Sequence, residues 1–70
     1  MLNTETQHLV SMANDIAANL DFQADGSVLT AEHIQRFWAP RMRKLLLEYA
    51  ATGGEGLSSG ALAAVDKLKD

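Results

Sequence analysis

The only proline of this 70-residue chain, Pro40, interrupts a run of apolar residues that otherwise recurs at helical spacing. Val28, Ala31, Ile34, Phe37 and Trp38 lead up to it, and Met42, Leu45, Leu46 and Tyr49 follow it. A proline inside a helix removes a hydrogen bond and clashes with the preceding turn. It also pushes the residue before it, here Ala39, out of the helical region. The same ring suits the first position of a new helix. The pattern predicts a sharp bend at Ala39-Pro40 and a helix over about residues 40–51. A single kinked helix is the alternative.

The remaining segments also carry helical periodicity, and none carries the alternation of a strand. Thr4-x-x-Gln7 fits a capping box. Leu9, Met12, Ala13, Ile16, Ala17 and Leu20 follow at helical spacing, with Val10 near the edge of the stripe, predicting a first helix over roughly residues 5–20. Asp25-Gly26-Ser27 signals a turn. The next helix is expected to begin near Ser27 or Thr30, either of which can cap it. Gly53-Gly54 supplies a left-handed cap to the helix after Pro40. Ser58 or Ser59 can cap a short fourth helix with Leu57, Ala61, Leu62, Val65 and Leu68 inward, and Lys67 to Asp70 are expected to fray. The expectation is an all-α fold: one domain over residues 1–70, a small bundle of three to four short helices.

A chain this short buries only about 60% of the surface its unfolded form exposes. Small domains compensate with disulfides, a metal, unusually good helix packing or a partner. With no cysteine, disulfides and Cys-ligated zinc or iron–sulfur sites are excluded. The hydrophobic fraction of 47% is generous, which predicts that part of the apolar surface is covered by another protein. The net charge of −3 argues against a general nucleic-acid binder. No basic, apolar leader opens the sequence, and no apolar run approaches the roughly 18 residues that span a bilayer. A soluble, cytoplasmic protein that binds no membrane is the expectation.

Catalytic chemistry is sparse. His8 and His33 lie far apart in sequence, and neither has a His or carboxylate four residues away, so a metal site is not expected. Ser58-Ser59 lacks a nearby general base and is explained by helix capping. Gly53-Gly54-Glu55-Gly56 follows no strand and precedes no Lys-Ser/Thr, so it fails as a phosphate loop. The acidic residues stand singly, with no pair placed for acid–base work.

One stretch has the composition of a contact surface. Residues 33–46 hold the only Trp, the only Pro, four of the six basic residues and no acid. Trp and Arg are enriched at binding hot spots, and the Arg fork pairs bidentately with carboxylates. Arg36, Phe37, Trp38, Pro40, Arg41, Arg43 and Lys44 are therefore expected to form a partner-binding element. A solvated cationic helix face is the plainer reading. Trp38 fits a core plug, an interface anchor, or both at once. A small nucleic-acid-binding or self-associating adaptor module is the alternative function. The apolar residues between 42 and 50 suit a groove-reading helix poorly.

Leu9-Val10-x-Met12-Ala13-Asn14-x-Ile16, His33-Ile34-x-Arg36-Phe37-Trp38-x-Pro40-Arg41-Met42-Arg43 and Gly53-Gly54-Glu55-Gly56-Leu57 occur here in that order. In these blocks the chain resembles the delta subunit of NAD-dependent formate dehydrogenase. The resemblance implies a cytoplasmic accessory subunit of an enzyme that oxidises formate to carbon dioxide and reduces NAD. It places a bis-molybdopterin guanine dinucleotide metal centre, iron–sulfur clusters, FMN and the NAD site on larger subunits. The delta subunit would support assembly or stability of that complex, with no catalytic residue or bound cofactor of its own. A homo-oligomer of the isolated subunit is compatible with this. Phe37, Trp38, Pro40, Arg41 and Arg43 carry over as contact or fold positions. The family pattern leads one to expect a proline after the Gly-rich block, and this chain has Ser58-Ser59-Gly60 instead.

Overall fold

Four helices follow one another without a strand in the computed structural model, which describes residues 3–20 and 22–68. Helix α1 spans Thr4–Leu20, α2 Gly26–Phe37, α3 Pro40–Ala51 and α4 Ser59–Lys67. All four contribute to one core, centred on Leu9, Ala13, Ile34, Leu46, Ala61 and Ala64. Each fully buried Leu or Ile in it contributes about 1.5–3 kcal/mol.

The cap of α1 lies one residue earlier than the sequence pattern suggests. Asn3 Oδ1 accepts the Thr6 N–H at 2.7 Å, and Thr4 is the first helical residue. Asn is the stronger N-cap of the two. Leu9, Val10, Ala13 and Ala17 are buried, and Met12 and Ile16 pack at the rim of the core.

Helix α2 starts at Gly26, ahead of both expected caps. Asp25 takes the N-cap position without a side-chain bond. Thr30 lies inside the helix, 1% exposed, and its hydroxyl donates to the Gly26 carbonyl at 2.8 Å. A buried hydroxyl needs an acceptor, and the carbonyl one turn back is the nearest. Val28, expected inward, is 38% exposed.

The chain turns between α2 and α3 through two extended residues, Trp38 (φ −85°, ψ 143°) and Ala39 (φ −64°, ψ 149°). Pro40 then opens α3 at its first position. The structure has two helices here, which disposes of the single kinked helix.

Helix α3 ends in a paired cap. The Gly53 N–H bonds the Ala50 carbonyl at 3.1 Å, and the Gly54 N–H bonds the Tyr49 carbonyl at 3.3 Å. The cap requires positive φ, which the two glycines supply at +124° and +63°. Ser58 then caps α4, its Oγ accepting from the Ala61 N–H at 3.1 Å.

Two expectations for α4 fail. Leu62 is 40% exposed, and Ala64 takes the inner position instead. The small side chains of Ala61 and Ala64 let α4 approach its neighbours closely, while Leu62 lies over Gly54: a Cβ added there would sit 2.9 Å from Leu62 Cδ2. Fraying fails as well for the two residues described, Lys67 and Leu68. Lys67 is helical, and Leu68 is buried with its N–H bonded to the Val65 carbonyl. Lys69 and Asp70 lie outside the described residues.

Candidate functional site

The aromatic and cationic stretch is divided by the turn between α2 and α3. Phe37 ends α2 and points outward, 68% exposed, with its ring 4.8 Å from that of His33 one turn earlier. Trp38 is in extended conformation and rotates the opposite way, into the core, where it is 5% exposed. Helical periodicity placed both on one inner stripe. The helix ends between them, so the period no longer applies.

The four cations part company too. Arg43 turns back under the corner: its Nη1 donates to the Trp38 carbonyl at 2.8 Å and more weakly to the Gln35 carbonyl at 3.4 Å. Those carbonyls lie at the C-terminal end of α2, where the helix dipole favours a positive charge. Its Nε is buried without an acceptor among the described residues. Arg43 is thus held by the fold itself. Arg41 reaches α1 and grips Glu5 with both fork nitrogens, at 2.5 and 3.1 Å, in an exposed bidentate pair. Arg36 and Lys44 are exposed and make no ion pair among the described residues. Pro40 is exposed and sets the direction of α3.

Beside Phe37 runs an open groove of about 410 Å³, lined by Leu20, Leu29, Glu32, His33, Arg36 and Phe37 together with Gln23. Phe22, in the link between α1 and α2, is 83% exposed. An exposed aromatic ring, a half-buried aliphatic floor and one cation without an ion pair among the described residues, Arg36, suit contact with another macromolecule. They offer no nucleophile–base pair. Among the described residues, no three His, Asp or Glu side chains converge to hold a metal. The sequence has no cysteine.

A second arrangement escaped the sequence reading. The Asn14 side chain bridges α1 to the loop before α4. Its Nδ2 donates to the Gly56 carbonyl at 2.8 Å, and its Oδ1 accepts the Ser58 N–H at 2.9 Å. The Tyr49 hydroxyl donates to the Glu55 carbonyl in the same loop. The Met12-Ala13-Asn14 block and the Gly-rich block are therefore two halves of one contact. The signal available in the sequence was an asparagine, a weak helix former, on the margin of an apolar stripe.

The model of the family described as NADH-dependent formate dehydrogenase delta subunit, FdsD, matches residues 8–65. No curated protein and no solved structure matches the chain. The matched span includes Asn14 and its loop partners, the α2–α3 corner with Phe37 and Trp38, and the core face of α4 to Val65. The chain belongs to the delta subunit family of NADH-dependent formate dehydrogenase.

Proposed function

We propose that this chain is a non-catalytic accessory subunit of a cytoplasmic, NAD-dependent, molybdenum-containing formate dehydrogenase. It supports assembly or stability of the complex by docking on a larger subunit. Membership of the family implies association with other formate dehydrogenase subunits. The observation that carries the docking role is the exposed Phe37 beside the unpaired Arg36, at the corner where the neighbouring Trp38 is committed to the core. An aromatic ring left in water on so small a protein loses its exposed area favourably to a partner, and binding would in turn stabilise a marginal fold. In this reading the molybdopterin guanine dinucleotide centre, iron–sulfur clusters, FMN and NAD belong to the other subunits. No residue here is assigned to them.

The test is to isolate the enzyme from its host with and without this chain. Formate-dependent NAD reduction is then measured per molybdenum and per total large subunit. Loss of activity per large subunit, with activity per molybdenum unchanged, is the expected result. A fall in turnover per molybdenum would show that the chain takes part in the reaction. Equal assembly without it would remove the accessory role.

A further inference from the structure

Charge is segregated in this chain. No acid lies between residues 33 and 47, where four of the six basic residues stand, so two basic residues accompany all nine acids elsewhere. The four cations stand on either side of the turn between α2 and α3, and Arg43 is spent on the end of α2. Arg41 and Lys44 are three residues apart on one face of α3. Arg36 and the exposed Phe37 occupy the last turn of α2.

What such a corner accepts is shown by the chain's own Glu5. Its carboxylate sits in the Arg41 fork at 2.5 Å, although the two side chains are 73% (Arg41) and 43% (Glu5) exposed. That is the fork-to-fork geometry by which arginine recognises a planar carboxylate. The apolar component is set by Phe37 and the adjoining groove floor of Leu20 and Leu29, whose wall also carries Glu32 one turn before Arg36, so the acidic groups of the partner are directed to the α3 side.

We infer that this corner docks an acidic protein segment bearing an apolar side chain, and that a carboxylate of that segment takes Glu5's place on Arg41 while the apolar side chain covers Phe37. The inference rests on the accessory-subunit reading and specifies the chemistry of the partner surface. An exposed ion pair is weak, so Glu5 is displaced at little cost. The replacement pair forms where docking excludes water and is correspondingly stronger. The same charge asymmetry steers the chain corner-first towards its partner.

The test uses the purified full-length chain and formate dehydrogenase isolated from a host strain lacking it. Affinity is measured at low and high salt, with circular dichroism confirming that each variant is folded. Binding that weakens with salt is expected. The double variant Arg36→Glu/Lys44→Glu should bind about tenfold more weakly or worse, and Phe37→Ala about tenfold more weakly. Glu5→Gln, which frees the Arg41 fork, should bind about two- to fivefold more tightly, the ceiling set by an exposed pair. Failure of the wild-type chain to bind would overturn the accessory reading together with this one. Wild-type binding that is indifferent to the corner variants would overturn the surface alone. Unchanged or weaker binding by Glu5→Gln would overturn the displacement. Binding to a short DNA duplex as tight as to the enzyme would overturn the choice of a protein partner.

Discussion

Replacing Trp38 and Phe37 one at a time separates core from surface across a single peptide bond. Trp38 is 5% exposed, so nearly all of a tryptophan's surface, about 150–250 Å², leaves water on folding. At about 25 cal/mol per Å² this is worth about 4–6 kcal/mol, close to the roughly 3–5 kcal/mol seen when large buried aromatics are cut to alanine. A domain of this length has a total stability of about 3.5–10 kcal/mol. Trp38→Ala should therefore remove about half of the stability or all of it. Trp38→Phe, which keeps most of the ring volume, should stay folded. Phe37 is 68% exposed, so only about a third of its surface counts. Phe37→Ala should cost about 1.5 kcal/mol at most, including its contact with His33. Urea denaturation followed by far-ultraviolet circular dichroism gives both numbers. Trp38 is the only tryptophan, so its emission in the wild-type chain should be that of a shielded indole and should shift to the red as the chain unfolds. A Trp38→Ala cost below about 1 kcal/mol, or a Phe37→Ala cost equal to it, would refute the assignment of the two rings.

Three further outcomes follow from contacts described above. Asn14→Ala removes both bonds to the Gly56–Ser58 loop; since water can replace part of each, thermal denaturation should show a loss of about 1 kcal/mol, or about 4–8 °C in Tm. Limited proteolysis of that variant should cut first within residues 53–57. Arg43→Met breaks a charge-assisted bond at the end of α2 but also removes a buried Nε that has no acceptor, so chemical denaturation should show a net cost of only about 1 kcal/mol. Gly54→Ala should cost more than Gly53→Ala in the same assay. Both have positive φ, but a Cβ at Gly54 meets Leu62 at 2.9 Å and Leu57 at 3.3 Å, whereas one at Gly53 meets nothing within 4 Å.

The all-helical class, the bend and the glycine cap were legible because each is written in local backbone chemistry, while the helix count was left at three to four. Pro40 favours the start of a new helix over a kink, and Gly53-Gly54 can take positive φ where other residues rarely do. Ser58 was legible as one of two caps for the same reason. The errors came where two local rules competed or a tertiary contact decided. Asn3 displaced Thr4 as cap, and Thr30 met its hydroxyl's need inside the helix. Leu62 lost the inner face to Ala64 because close helix approach favours the smaller side chain. At the candidate site the composition was legible and the orientation was not. Nothing local says that Arg43 folds back onto α2, that Arg41 reaches Glu5 thirty-six residues away, or that Asn14 holds a loop more than forty residues along the chain.

That long-range clasp bears on when the protein can fold during its synthesis. Helix α4 is nine residues long, shorter than the roughly 12–15 that an isolated helix needs to hold its shape in water. It nevertheless supplies Ala61, Ala64 and Val65 to the core against α1 and α2, and Leu68 follows from its C-terminal cap. Until those residues have left the ribosome, the first three helices have no complete surface to close upon. Folding must therefore follow translation of this segment rather than accompany it, and the nascent chain stays open, with its apolar faces in reach of a chaperone or a waiting subunit, until then.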